Sequence, residues 1–172
     1  MEQKHARIAS VVIATLLILV LIMSAPAQAF SLGLNIEKNI LKIGEKINLD
    51  ASFTIDQGEN FPIEKFSIIL NGNTNFSCSF LPSGEIISGC EGTTITLISM
   101  PNLTSEYGYD NGYGYSYGYN FGQGTFKYKI SINTDNFHSG IYNPVFITSA
   151  DGEQFEKQGD SIFLLNGGGL RG

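Results

Sequence analysis

The sequence predicts an all-β protein, a two-sheet antiparallel sandwich of about seven or eight short strands. Apolar and polar residues alternate with a period of two along most of the chain after residue 30, as they do in strands with one buried face. No stripe of helical period and useful length occurs there. Glycine, proline and asparagine separate the apolar runs at short intervals, which is typical of sandwiches, and a parallel sheet would need crossover helices.

The first strands are predicted from alternation and from one turn signal. Residues 32–36 alternate between apolar and polar or small side chains, and residues 47–55 carry an apolar side chain at every odd position. Residues 66–70 repeat the pattern and end at Asn71-Gly72, a strong hairpin signal. Residues 75–80 then form the returning strand.

The later strands follow the same rule. Residues 93–98 are rich in β-branched side chains, and residues 126–132 alternate between an apolar and a wet face. Residues 141–148 and 161–165 close the series, with a turn predicted at Asp151-Gly152 between them.

Two stretches carry a resemblance to a known architecture. Residues 41–49, Leu-Lys-Ile-Gly-Glu-Lys-Ile-Asn-Leu, resemble the opening of many immunoglobulin-like extracellular domains, in which a Gly-Glu pair separates strand A from strand B. Residues 137–142 are similar to the x-x-G-x-Y approach to a late strand of these modules. The resemblance implies an immunoglobulin-like sandwich over residues 30–165 and a corner role for Tyr142, whose hydroxyl would bond nearby backbone. The chain has no tryptophan, and its cysteines are too close in sequence to join strands B and F, so only the architecture is carried over.

The N-terminus is typical of a secretory signal peptide over residues 1–29. Basic residues precede an apolar run over residues 8–23, and Ala27-Gln28-Ala29 supplies the small residues that a signal peptidase requires. Cleavage is expected between Ala29 and Phe30, which predicts a secreted or cell-surface protein.

Two alternatives for the apolar run stay open. The run is only slightly shorter than a bilayer-spanning helix, which leaves an uncleaved membrane anchor as one alternative. The other is a packing helix like the one that archaeal pilins and archaellins join to a β-sandwich, although the glycine expected before the run is missing. A mature N-terminus at Phe30 would indicate secretion. A mature N-terminus near Ile8 would indicate a filament subunit.

The cysteines and two sequons suit an exported chain. Cys78 and Cys90 are the only cysteines, and a hairpin reversing near Gly84 would place them opposite each other as a disulfide. Asn75 and Asn102 are candidate N-glycosylation sites, because each begins an Asn-x-Ser/Thr triplet near a predicted turn or loop.

The most unusual segment is a tyrosine- and glycine-rich insertion at residues 106–124. Six of the protein's eight tyrosines lie here at odd-numbered positions, so an extended chain would place them on one face. These candidate binding residues are Tyr107, Tyr109, Tyr113, Tyr115, Tyr117 and Tyr119.

The turn of this insertion decides whether the tyrosines stay together. A three-residue turn at residues 110–112 would pair Tyr109 with Tyr113 and Tyr107 with Tyr115, whereas a two-residue turn would send the two arms' rings to opposite faces. The three-residue turn predicts a ribbon whose row of phenols stacks on sugar rings, on another copy or on a surface polymer. The preferred interpretation is nevertheless a flexible low-complexity insertion whose tyrosines partly cover the neighbouring sheet, with the stacking ribbon as the alternative. The Tyr-Gly runs resemble, in composition only, those of exported proteins from small-genome archaea.

Composition and missing motifs argue against several classes of function. A net charge of -6 with 10 Lys+Arg argues against a nucleic-acid binder. The chain contains no G-x-S-x-G, P-loop, H-E-x-x-H or C-x-x-C motif. His138 lies in a polar turn without a placed partner. Residues 56–60 resemble a fragment of a calcium loop but lack its distal glutamate, so a plain turn is the preferred interpretation and no metal or cofactor is expected.

These observations predict an exported, non-enzymatic surface module that contacts surface glycans or other envelope proteins. A membrane would be involved only through an uncleaved leader. The alternatives are a pilin- or archaellin-like filament subunit and a secreted carbohydrate-active enzyme, which would need two carboxylates facing one cleft. Residues 166–172 are expected to form a flexible tail.

Overall fold

The computed structural model describes residues 30–109, 116–150 and 152–167, with the backbone but not the side chains of residues 105–109 and 116–119. These residues contain thirteen strands and no helix, so the all-β prediction is confirmed with more strands than expected. The strands are β1 (Phe30–Ile36), β2 (Ile40–Lys42), β3 (Lys46–Ile55), β4 (Phe61–Asn71), β5 (Phe76–Phe80), β6 (Ile86–Ser88), β7 (Thr93–Ser99), β8 (Leu103–Tyr109), β9 (Ser116–Phe121), β10 (Gly124–Asn133), β11 (Gly140–Ala150), β12 (Glu153–Gln158) and β13 (Ile162–Leu165).

The strands form two sheets. One sheet has the order β1-β3-β10-β7, and the other has the order β2-β13-β11-β4-β5-β6. The second sheet also includes β12, which pairs with β11, and β9, which pairs with both β4 and β8. All neighbours are antiparallel except β2 and β13, which run parallel, so the prediction of a purely antiparallel sandwich is wrong at this one edge.

The additional strands have local causes. Strands β2 and β6 are only three residues long, too short for an alternation pattern to show. Strand β12 was missed because its sequence, Glu-Gln-Phe-Glu-Lys-Gln, has a single apolar residue. The hairpin signal at Asn71-Gly72 is confirmed, since β4 and β5 pair with Leu70 opposite Phe76. Asp151 lies outside the described residues, and the adjoining Gly152 has the positive φ of a turn.

The core lies between the two sheets and is built largely of aromatic rings. Phe66 is fully buried, and its ring lies 5.3 Å from those of Phe126 and Tyr128 and 5.4 Å from that of Phe146. The odd-numbered residues of β3 from Ile47 to Ile55 are all buried, as the alternation predicted. Phenylalanine thus supplies the aromatic packing in a chain without tryptophan.

The predicted corner contact of Tyr142 is present. Tyr142 is buried near the start of β11, and its hydroxyl donates a hydrogen bond to the backbone carbonyl oxygen of His138 at 2.8 Å. The exposed His138 also contacts Thr74, whose Oγ1 lies 2.9 Å from the imidazole Nδ1. This histidine is therefore part of the corner that joins β11 to the β4–β5 turn.

The predicted leader, including Ala29, lies outside the described residues, as does the end of the expected tail at residues 168–172. Phe30 is the first described residue and begins β1, opposite Ile55. Its ring packs 4.7 Å from the rings of Phe61 and Phe155. The described part of the chain has no helix long and apolar enough to cross a membrane.

Candidate interaction site

The tyrosine- and glycine-rich insertion forms a ribbon rooted in the larger sheet. Its arms, β8 and β9, pair antiparallel, as the ribbon alternative expects. The end of β9 also pairs with β4, with Phe121 opposite Phe61 and Tyr119 opposite Ile63. Phe121 is buried, and its ring meets that of Phe126 edge-on at 4.7 Å. The ribbon is therefore held at its base by both backbone pairing and core packing.

The predicted pairing of the tyrosines is wrong. Tyr109 lies opposite Ser116 instead of Tyr113, and Tyr107 lies opposite Gly118 instead of Tyr115. A register shift between Leu103 and Ser105 contributes to this offset, and the pairing of β9 with β4 determines where that arm lies.

Directly opposite positions share a face of an antiparallel pair. Positions 107 and 109 therefore share one face of the ribbon with 116 and 118, whereas positions 117 and 119 share the other face with 106 and 108. Tyr113 and Tyr115 lie outside the described residues. The four tyrosine positions of the described arms are thus divided between two faces of the ribbon.

An apolar groove of about 280 Å³ opens at the base of the ribbon. Four segments that are separate in sequence form it: the β5–β6 turn, the residue after β7, the start of β8 and the end of β9. Met100 and Leu103 are 48% and 44% exposed, large fractions for apolar side chains. The lining residues are Leu81, Pro82, Ser83, Glu85, Met100, Leu103 and Phe121.

The β5–β6 turn forms one wall of this groove. The Leu81 amide donates to the Glu85 carbonyl and the Gly84 amide to the Leu81 carbonyl, both at 2.8 Å. Gly84 has φ of 88°, a conformation that a side chain would strain. These contacts make the turn a compact unit whose apolar residues, Leu81 and Pro82, face the groove.

A buried hydroxyl ties the turn to the core. Tyr128 lies on β10, is 1% exposed, and donates a hydrogen bond to the Pro82 carbonyl oxygen at 2.7 Å. Burial raises the pKa of Tyr128 far above its ordinary value, because the phenolate would be poorly solvated there. The hydroxyl therefore stays protonated at physiological pH and keeps donating its hydrogen bond to the Pro82 carbonyl oxygen.

The predicted disulfide is present and closes the same hairpin. Cys78 on β5 is bonded to Cys90, which lies just beyond β6, with their Cα atoms 4.4 Å apart. The two residues are not in simple register, because a bulge shifts the pairing between Ser79 and Phe80. Both cysteines are buried, so the bond links the groove wall to the core.

The groove residues were missed by the sequence analysis because they come together only in three dimensions. One signal was available: Met100 extends the outward positions of β7 beyond Ile98, and both residues are apolar and exposed. Apolar residues at consecutive outward positions are unusual on a face that otherwise carries threonine.

The remaining candidate residues lie away from the groove or at its margin. Asn75 precedes β5 and Asn102 lies between β7 and β8, and both are exposed, as a glycosylation site requires. No group of three histidine, cysteine, aspartate or glutamate side chains that could hold a metal ion occurs in the described ranges. Glu85 is the one titratable side chain among the residues that line the groove. The groove is therefore suited to apolar contact.

A second exposed apolar surface lies on the outer face of the larger sheet. Ile141, Phe163 and Ile40 are directly opposite one another on β11, β13 and β2. Leu165 lies two residues further along β13, and all four side chains are between 41% and 53% exposed. We call these four residues the outer row.

Comparisons with known proteins identify no family. No protein-family model matches the chain, and no curated protein matches it. Among solved structures, a family 123 glycoside hydrolase from Clostridium perfringens aligns over 81% of this chain and 28% of its own, with 14% identity and a TM-score of 0.46.

Two further structures are similar at the same low level. A DUF4466 family protein from Parabacteroides merdae aligns over 80% of this chain and 46% of its own, with 12% identity and a TM-score of 0.44. A cohesin module from a Clostridium perfringens family 33 glycoside hydrolase aligns over 80% of this chain and 98% of its own, with 7% identity and a TM-score of 0.35. The chain thus spans less than half of the first two proteins. At TM-scores below 0.5, none of these structures indicates what this chain binds or does.

Proposed function

We propose that the protein is an exported, non-enzymatic surface module that binds surface glycans through the ribbon and the adjoining groove. The observation that carries this proposal is the position of the groove. It exposes apolar side chains at the root of a ribbon whose sequence holds six of the chain's eight tyrosines. Tyrosine has an apolar ring and a hydrogen-bonding tip, which suits contact with the apolar face and hydroxyl rim of a sugar.

The sandwich that presents this site is proposed to be immunoglobulin-like. In that architecture one sheet has the strand order A-B-E-D and the other contains G-F-C, to which variable-type domains add C′. The orders β1-β3-β10-β7 and β13-β11-β4-β5 fit this arrangement strand for strand. The hydrogen bond of Tyr142 to backbone four residues upstream also supports it, since a tyrosine at the start of strand F makes this contact in such domains.

Export is supported by the disulfide and by the leader. Disulfides persist in oxidising compartments outside the cytosol, and this chain pairs both of its cysteines. The signal-peptide pattern ends at Ala29, and the next residue, Phe30, is already packed against three phenylalanine rings. Cleavage between Ala29 and Phe30 would therefore keep every described strand in the mature chain.

The proposal is tested by changing all six tyrosines of the insertion to serine and measuring binding to isolated cell envelopes and to purified surface polysaccharide. If two rings stack on sugar, the loss is about 1–3 kcal/mol, or roughly a 5- to 150-fold weaker Kd. The matched control is Ile141→Ser with Phe163→Ser, which removes exposed apolar side chains from the outer row. We expect the control to bind as the unchanged protein does.

Three results would contradict the proposal. Unchanged binding by the six-serine variant would show that the tyrosines make no contact with the ligand. Equal losses in both variants would show general apolar adhesion instead of a specific site. Binding that is destroyed by protease treatment of the envelopes, but retained after removal of glycans, would identify an envelope protein as the partner.

A further inference from the structure

Strand β7 is an open edge of the smaller sheet. Among the described strands it pairs with β10 alone, so one side of its backbone has no neighbour in the ladder. The adjacent β5–β6 turn packs near its side chains, with Gly84 facing Ile95 and Leu97. In the described turns and loops, no backbone group forms a hydrogen bond with residues 94–99. Such an edge is a template for pairing with another chain.

The other described edges carry features that discourage pairing. Strand β12 contains Glu153, Glu156 and Lys157, and β8 contains Glu106. Strands β2 and β6 are three residues long. Strand β1 is covered at its end by the Phe155 ring, 4.7 Å from that of Phe30. Charge, shortness and cover are the usual protections of sheet edges. Strand β7 is seven residues long and uncharged, and the β5–β6 turn meets its side chains without pairing with its backbone.

The sequence of β7 is complementary to itself. It contains no charge and no proline, and the uncharged stretch extends from Gly92 to Met100. In an antiparallel pair centred on Thr96, each Ile95 lies opposite a Leu97 and each Thr94 opposite an Ile98. Ile95 and Leu97 are only partly buried in one copy, so pairing would cover them. Opposed threonines and opposed branched apolar residues are favourable cross-strand pairs.

Charges near the edge do not oppose this arrangement. Glu91, the nearest charged residue before β7, would lie opposite Pro101 of the second copy and not opposite its own counterpart. Lys129 lies beside Thr96 on β10, and the two copies of this lysine would be three strand spacings apart, about 14 Å. At physiological salt that separation exceeds the screening length.

We propose that two copies of this chain pair their β7 strands antiparallel about a two-fold axis at Thr96. The two four-stranded sheets then form one continuous sheet of eight strands. In this register Met100, which lines the groove, lies opposite Gly92 of the second copy, so the groove borders the interface. The arms β8 and β9 begin beyond the paired residues, so each dimer would present two ribbons. A short edge contact of this kind is a small interface, and the expected dimer is of micromolar affinity.

The test is sedimentation equilibrium of the purified protein from about 1 µM to about 1 mM. Thr96→Glu places two carboxylates directly opposite each other in the dimer, while each stays beside Lys129 of its own copy. We expect this variant to raise the dimer Kd at least about tenfold. The control is Asn48→Glu, which adds the same charge to an exposed position on the outward face of β3 in the same sheet. It should leave the Kd unchanged.

Two further variants test the register. Mixing Thr96→Glu with Thr96→Lys protein should restore dimers, because opposite charges then meet at the axis. Under oxidation the Thr96→Cys variant should form a disulfide between two copies, because the two introduced cysteines lie opposite each other. The Thr94→Cys variant should not, because its cysteine would lie opposite Ile98. The native cysteines do not interfere, since both are already paired. A monomer throughout the concentration range would overturn the proposal. Equal effects of Thr96→Glu and Asn48→Glu, or equal cross-linking of both cysteine variants, would overturn it as well.

Discussion

Reduction of the disulfide is expected to destabilise the sandwich by about 3 kcal/mol. The bond joins residues 12 apart, and the loss of chain entropy in a closed loop of that length contributes about 2.8 kcal/mol at 25 °C. For a domain of this length, an entropy of unfolding near 2.1 cal/mol/K per residue converts this value to a fall in Tm of roughly 10 °C. Both cysteines are buried, so the sulfur atoms themselves stay in the core after reduction.

The assay compares thermal unfolding of the oxidised protein, the reduced protein and the Cys78→Ala/Cys90→Ala variant. The control is Ser88→Ala, which changes an exposed side chain of the same hairpin and keeps the disulfide. It should leave Tm unchanged. The intact mass of the native protein should begin at Phe30 and rise by two daltons on reduction. A start near Ile8 would instead favour the filament alternative.

Hydrogen exchange locates the effect. The amides of Leu81 and Gly84 should exchange faster after reduction, because their hydrogen bonds lie within the loop that the disulfide closes. The amide of Ile130, in the central ladder of the smaller sheet, serves as the internal reference. A fall in Tm below about 3 °C, or equal acceleration at all three amides, would refute the view that the disulfide acts by constraining this hairpin.

Two further predictions concern buried hydroxyls. Thr148 is fully buried and its Oγ1 has no hydrogen-bond partner, so Thr148→Val should stabilise the protein by about 1–2 kcal/mol in urea unfolding. The matched change Thr134→Val should destabilise the protein by about 1–3 kcal/mol, because that hydroxyl donates to the Glu45 carbonyl and accepts from the Gly44 amide. If both substitutions stabilised the protein, or both destabilised it, the hydrogen bonding assigned to these two hydroxyls would be contradicted. Burial raises the pKa of Tyr128, so the contribution of this residue to stability should be constant up to about pH 10. Above that pH it should fall by about 1.4 kcal/mol per pH unit, because the unfolded chain loses a proton that the folded chain keeps. Tyr128→Phe should remove that part of the alkaline slope; an unchanged slope would contradict the assignment.

The ribbon is the clearest example of a feature that the sequence predicts only in part. An antiparallel ribbon in this segment could be expected as one alternative, because the alternation within residues 106–124 is a local signal. Its register could not, since the end of β9 is held by β4, some sixty residues earlier in the chain. A register change of one residue moves a whole arm to the other face. The division of the tyrosines between two faces follows from that distant contact.

The groove shows the same limit for the candidate site. Its walls come from the β5–β6 turn, Met100, Leu103 and Phe121, and no local pattern connects these segments. The tyrosine-rich insertion, by contrast, was evident from composition alone. The tyrosine-rich insertion could therefore be located from the sequence, whereas the apolar surface at its base could not.

Features that depend on near neighbours along the chain could be predicted from the residues alone. These are the all-β class, the buried faces of β3 and β10, the hairpin at Asn71-Gly72 and the pairing of Cys78 with Cys90. Tertiary structure alone decided the strand order of the two sheets, the parallel contact of β2 with β13, the ribbon register and the open edge at β7. The physical reason is that side-chain alternation and turn chemistry act over a few residues. Which strands become neighbours depends instead on how all the apolar faces are buried together.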